Sequence, residues 1–138
     1  MDPGTVLYVE DDNLDILLMR HAWQKAGLLN PLHVVNDGQQ AQDYLSGQGR
    51  YADHRVHPLP WLVLLDLQLP KRNGLEVLRW IREQEGPIRA LRVIVFSSSN
   101  SPRDIQQAHA RGVSAYLVKA ATPHGADEFV ACLKEFWL

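Results

Sequence analysis

Leu64-Leu65-Asp66-Leu67-Gln68-Leu69-Pro70 is the stretch on which the reading of this chain turns. An apolar run carries one carboxylate, Asp66, to its end, and Pro70 and Gly74 then turn the chain. With Leu62 and Val63 ahead of it, the run reads as a strand buried on both faces, the pattern of a parallel sheet. A lone charge at the end of such a strand is costly unless other groups meet it there. Asp66 is therefore the residue to explain.

Upstream, residues 5–9 form a β-branched and aromatic strand that stops at Glu10-Asp11-Asp12. Residues 13–26 read as a helix with Leu14, Leu17, Leu18, His21, Ala22 and Lys25 on one face and Gly27 as its stop. Residues 32–36 read as a strand and residues 38–46 as a helix carrying Ala41, Tyr44 and Leu45. Residues 47–60, with two glycines and two prolines, read as a long surface loop. Its His54 and His57 lack a third ligand that would make a metal site.

Downstream, Leu75, Leu78 and Ile81 mark a third helix, and residues 91–96, apolar but for Arg92, read as a strand closed by Ser97-Ser98-Ser99. Ser101 and Asp104 predict a capping box, with Pro102 at the first helical position and a fourth helix running to Arg111. Residues 114–118 form the fifth strand, with Lys119 at its end. Thr122-Pro123 opens a last helix with Ala126, Phe129, Val130, Leu133 and Trp137 on one stripe. Alternation of this kind predicts a parallel sheet with helices on both faces, because parallel strands need crossovers and these cover the sheet.

The 138 residues predict one domain, residues 1–138, with no output domain. Hydrophobic residues at 46% and charged residues at 22% leave no disordered block. A net charge of -2 gives no reason to expect nucleic-acid binding. Nowhere do eighteen apolar residues follow one another, and the first residues lack a secretory pattern, so neither a membrane nor export is expected. The single Cys132 reads as a small apolar residue, and the chain as cytoplasmic.

Ligands of such sheets bind beyond the carboxyl ends of the strands. Those ends carry Glu10 and Asp11, then Asp66, Ser97 and Lys119. In the flavodoxin-like (βα)5 strand order 2-1-3-4-5, the first and third strands are neighbours, so the three carboxylates converge. They would repel one another unless a cation sits among them, and Mg2+ suits an all-oxygen set. Asp66 could then attack phosphorus and form an acyl phosphate, with Lys119 and the Ser97 hydroxyl each meeting a phosphoryl oxygen.

On these residues the chain resembles the receiver domains of two-component response regulators over essentially its whole length. The resemblance implies that Glu10 and Asp11 are the acidic pair, Asp66 the phosphoacceptor, Ser97 the switch hydroxyl, Tyr116 the switch aromatic and Lys119 the site lysine. It also implies a main-chain carbonyl ligand at Gln68, with the side chains of Gln68 and Ser99 tuning dephosphorylation. Gly27-Leu28-Leu29-Asn30, Asn36-Asp37-Gly38, Gly49-Arg50-Tyr51-Ala52-Asp53 and Glu135-Phe136-Trp137-Leu138 resemble the small stand-alone regulators of bacterial phytochrome kinases. The implied function is phosphoryl acceptance from a sensor histidine kinase, a bacteriophytochrome in the narrower likeness, with no turnover of other substrates.

The resemblance further implies a homodimer through the fourth helix, fifth strand and fifth helix, with Tyr116, Phe136 and Trp137 on its surface. Of the two closing aromatics, one is expected to pack inward and the other to face out. One position departs from the family: Ala120 follows Lys119 where a proline preceded by a cis bond is usual. A cis bond before alanine costs about 2.5 to 4 kcal/mol, so a trans bond and a rearranged loop are expected. Ala120 keeps alive the alternative of a phosphorylation-independent docking module. An aspartyl phosphatase would need a second aspartate where Gln68 stands, and a dinucleotide carrier a glycine-rich loop after the first strand.

Overall fold

The computed structural model describes residues 3–119 and 124–138. Strands β1 (Val6–Val9), β2 (Leu32–Val35), β3 (Leu62–Leu65), β4 (Arg92–Ser97) and β5 (Ala115–Val118) form one parallel sheet in the order β2-β1-β3-β4-β5. Between and after them run α1 (Asn13–Lys25), α2 (Gly38–Ser46), α3 (Gly74–Glu83), α4 (Pro102–Ala110) and α5 (Gly125–Phe136). The expected flavodoxin-like architecture is the one observed. The predicted helix start at Thr122-Pro123 and the Lys119–Ala120 bond lie outside the described residues.

Side chains alternate across each strand, and the two faces bury separate cores. Leu7, Val9, Val63, Leu65, Val93 and Val95 pack with residues of α2, α3 and α4, among them Tyr44, Leu78 and Ala108. Val6, Tyr8, Leu62, Leu64, Ile94 and Phe96 pack with Met19, Ala22 and Trp23 of α1 and with Phe129, Val130 and Leu133 of α5. Phe96 and Phe129 stack with ring centroids 3.9 Å apart. Trp137 packs against this second core while Phe136 stays 69% exposed, so one closing aromatic is in and the other out.

Two expectations need correction. The face of α1 that meets the sheet is Met19, Ala22 and Trp23, flanked by Ile16 and Ala26, while Leu14 and Leu17 are each 63% exposed. Both stripes have helical spacing, and the choice is made by α5 and the sheet, which fix how α1 is rotated. Residues 47–60 are also not merely a surface loop. A 3-10 turn at Gly49–Tyr51 buries Tyr51, and the Tyr44 hydroxyl donates to the Pro58 carbonyl at 3.0 Å. His57 packs edge-on to Tyr44 and Tyr51, with centroids 5.6 and 5.1 Å away, as part of this aromatic cluster.

Four of the five helices are capped at their start by a side chain. Asp12, Asp37, Asn73 and Ser101 cap α1, α2, α3 and α4 through their side chains. The predicted capping box on α4 is half formed: Ser101 Oγ accepts from the Asp104 amide at 3.4 Å, but the Asp104 carboxylate is taken by the Ser99 hydroxyl at 2.6 Å. At the other end of α4, Arg82 of α3 donates to the Arg111 and Gly112 carbonyls at 2.8 and 3.0 Å. The same guanidinium reaches the Arg89 and Leu91 carbonyls at 2.9 and 2.8 Å. Among the described residues no helix is long and apolar enough to cross a membrane.

Candidate functional site

The register of the sheet brings the polar strand ends together. Val9 pairs with Leu65 and Leu65 with Val95, so the residues that follow β1 and β3 emerge side by side. The Asp66 amide donates to the Val9 carbonyl at 3.2 Å, and the Lys119 amide to the Ser97 carbonyl at 2.8 Å. After Asp66 the chain folds back under itself, with the Gly74 amide donating to the Leu67 carbonyl at 2.9 Å. A side chain at 74 would overlap the Asp66 carbonyl oxygen and the Leu67 Cα, which is why glycine stands there.

Glu10 is fully buried, and its carboxylate is gripped from several sides. Oε1 accepts from the Tyr8 hydroxyl at 3.2 Å, and Oε2 from the Asp11 and Asp12 amides at 3.1 and 3.2 Å. Burial pushes its carboxyl up to about 7; the Asp66 charge pushes the same way, and Lys119 opposes both. Burial, with the Glu10 charge beside it, also raises the Tyr8 phenol far above its usual range, so it stays a donor.

Lys119 Nζ lies 2.5 Å from Glu10 Oε1, 2.8 Å from Asp15 Oδ2 and 3.1 Å from Asp66 Oδ2. Burial alone would lower its ammonium. The hydrogen bonds to Asp15 and Glu10 and the Asp66 charge outweigh that and raise it above its ordinary value. Asp66 is itself buried, and its Oδ1 accepts from the Gln68 amide at 3.1 Å. The carboxylates of Glu10, Asp11 and Asp66 each offer an oxygen within 4.8 Å of the others. Three hard oxygen donors this close, two of them buried, fit Mg2+.

The remaining predicted residues fall at different distances from this centre. Ser97 is buried, and its hydroxyl accepts from the Ser99 amide at 3.3 Å. The Gln68 side-chain oxygen accepts from the Ser98 hydroxyl at 2.8 Å, while Ser99 Oγ is turned to Asp104. The Tyr116 hydroxyl donates to the Ser99 carbonyl at 2.8 Å, joining β5 to the turn before α4. Phe136 and Trp137 are not brought to the site: Trp137 lines a cavity with Pro3, Gly4 and Trp61, at the amino ends of β1 and β3. The residue that sequence reasoning missed is Asp15, whose signal was a carboxylate in the first turn of the helix that follows the acidic pair.

Residues 6–131 match the response regulator receiver domain. The chain is 37% identical over 140 residues to the probable methanogenesis regulatory protein FilR2 of Methanothrix harundinacea, covering 99% of this chain and 85% of FilR2. It is similar to the phosphorylated cyanobacterial phytochrome response regulator RcpA, with a TM-score of 0.89 and 32% identity over 98% of this chain and 94% of RcpA. It is equally similar to the Mn(2+)-bound form of the response regulator Rcp1, known from Synechocystis, with a TM-score of 0.88 and 32% identity over 99% of this chain and 95% of that one. With the strand order, the acidic cluster and the lysine in place, the chain belongs to the response regulator receiver domain family.

Proposed function

We propose that this protein accepts a phosphoryl group on Asp66 from the phosphohistidine of a sensor histidine kinase of the phytochrome type, in Mg2+-dependent phosphorelay signalling. The observation that carries the reading is the Lys119 ammonium 3.1 Å from Asp66 Oδ2, beside three carboxylate oxygens within 4.8 Å of one another. In the transfer an Asp66 carboxylate oxygen forms a bond to phosphorus as the phosphorus–nitrogen bond to the histidine breaks. Glu10, Asp11, Asp66 and the Gln68 carbonyl would hold Mg2+, which supplies charge neutralisation for the transferred group. Lys119 moves one donor from carboxylate to phosphoryl oxygen, and Ser97 turns its hydroxyl toward another. The similarity to phytochrome response regulators supports the choice of kinase.

The phosphoryl group would act at a distance through the turn after β4. Ser97 holds the Ser99 amide, and Ser99 in turn holds Tyr116, so a rotation at Ser97 reaches Tyr116 and the face of α4, β5 and α5. Homodimerisation through that face is part of the reading; Val118, 46% exposed, offers apolar surface there. Gln68 and Ser99 are assigned to tuning of dephosphorylation, and the protein turns over no other substrate. Incubation with acetyl phosphate and Mg2+ should add the mass of one phosphoryl group, and sedimentation of the same sample should show dimer. No gain, or a gain that persists in Asp66→Ala, rejects Asp66 as acceptor and leaves the docking module.

A further inference from the structure

We infer that Asp15 is a positioning residue for Lys119, keeping its ammonium beside Asp66 when a cation and a phosphoryl group engage the other two carboxylates. This rests on the phosphoacceptor reading above. An ammonium has three donors, and all three are used: Glu10, Asp15 and Asp66 accept them at 2.5, 2.8 and 3.1 Å. Glu10 and Asp66 also belong to the cluster that fits a metal, whereas Asp15 does not. Loading the site therefore gives two of the three acceptors a new partner and leaves Asp15 with Lys119 alone.

The carboxylate is well placed for that task. It stands in the first turn of α1, where the Asp12 side chain holds its amide at 2.9 Å and fixes the backbone that carries it. Lys119 reaches the site on a flexible four-carbon stem and keeps its ammonium only through what it bonds. A group misplaced by about an ångström can cost about a hundredfold in rate. Asp15 does not confront the phosphoryl group as a bare anion, because once a cation and the phosphoryl group engage Glu10 and Asp66, the ammonium 2.8 Å away is left to pair with it. Its effect on transfer is therefore favourable.

The test compares the parent protein with Asp15→Asn and Asp15→Glu, using beryllofluoride with Mg2+ as the phosphoryl probe. Asp15→Asn should bind the probe about tenfold more weakly. It should lower the maximal rate of phosphorylation by acetyl phosphate by a similar factor, leaving the half-saturating concentration unchanged. Asp15→Glu should recover most of both. The Lys119 ammonium should give a signal in the nuclear magnetic resonance spectrum of the parent with probe bound, and that signal should broaden away in Asp15→Asn. With carboxylate-labelled aspartate, the parent alone should show coupling between that ammonium and the Asp15 carboxylate carbon, a reading that needs no variant. Equal or tighter probe binding, an equal or faster rate, or absence of the coupling overturns the inference. A parent that takes up no phosphoryl group fails the functional reading instead, and the coupling in the unloaded protein still decides whether Asp15 holds Lys119.

Discussion

Lys119 is the counter-charge for two buried carboxylates, and its loss would leave Glu10 and Asp66 facing each other unpaired. Lys119→Ala should lower the unfolding free energy by about 3 kcal/mol in chelator, read from urea titration. Glu10 adds a pH dependence whose sign follows from its raised carboxyl. Its folded value, about 7, lies above the ordinary carboxylate value, so the stability this group contributes is present in full at low pH. That contribution is lost as pH climbs through about 7. Cation binding runs the other way because it requires the ionised form. Calorimetry should find Mg2+ affinity rising from about pH 6 to about pH 8, with proton release at the lower value only; a flat profile would contradict the assignment of Glu10. At this scale the sequence was legible wherever a polar residue closes an apolar strand, as at Glu10, Asp66, Ser97 and Lys119. Asp15 was not, because a carboxylate in a first helical turn has a sufficient local reason to be there. Its lean toward Lys119 depends on how α1 packs.

Elements place the site by approaching one another closely. The turn from β3 into α3 is drawn under Asp66, and only the missing side chain of Gly74 allows it. Gly74→Ala should therefore cost about 2 to 3 kcal/mol through overlap with backbone that cannot yield. It should also shift Asp66 and slow acetyl phosphate labelling; denaturation together with the labelling rate checks both. The strands were readable from their apolar runs because burial on both faces removes ambiguity, as at β3. Helix α1 was misread for the opposite reason. Leu14 and Leu17 make one apolar stripe and Met19 and Trp23 another, with Ala22 between them, and propensity does not say which one α5 and the sheet will cover. The turn that buries Tyr51 was hidden because glycines and prolines announce a loop without saying what it covers.

Across the whole molecule, the two cores and the strand order follow from five repeats of one unit, and that repetition made the architecture legible before any contact was known. What repetition does not encode is the bracing between units, and the Arg82 guanidinium is the clearest case. It joins the end of α3 to the end of α4 and to the approach into β4 through four carbonyls. Arg82→Ala should lower stability by about 2 kcal/mol, and Arg82→Lys should not restore it, since an ammonium lacks the planar fork that spans those oxygens. Thermal melting of the two variants provides the check. The same brace gives α4 one anchored end and one end resting on Ser99, Ser101 and Tyr116. Such a helix, about 13 Å long, would pivot about the end that Arg82 holds rather than slide as a body. If Asp66 takes up a phosphoryl group as proposed, a displacement begun at Ser97 would be largest at the Ser101 end and fade toward the Arg82-held end, so a partner that gauges that state would grip the near end of α4.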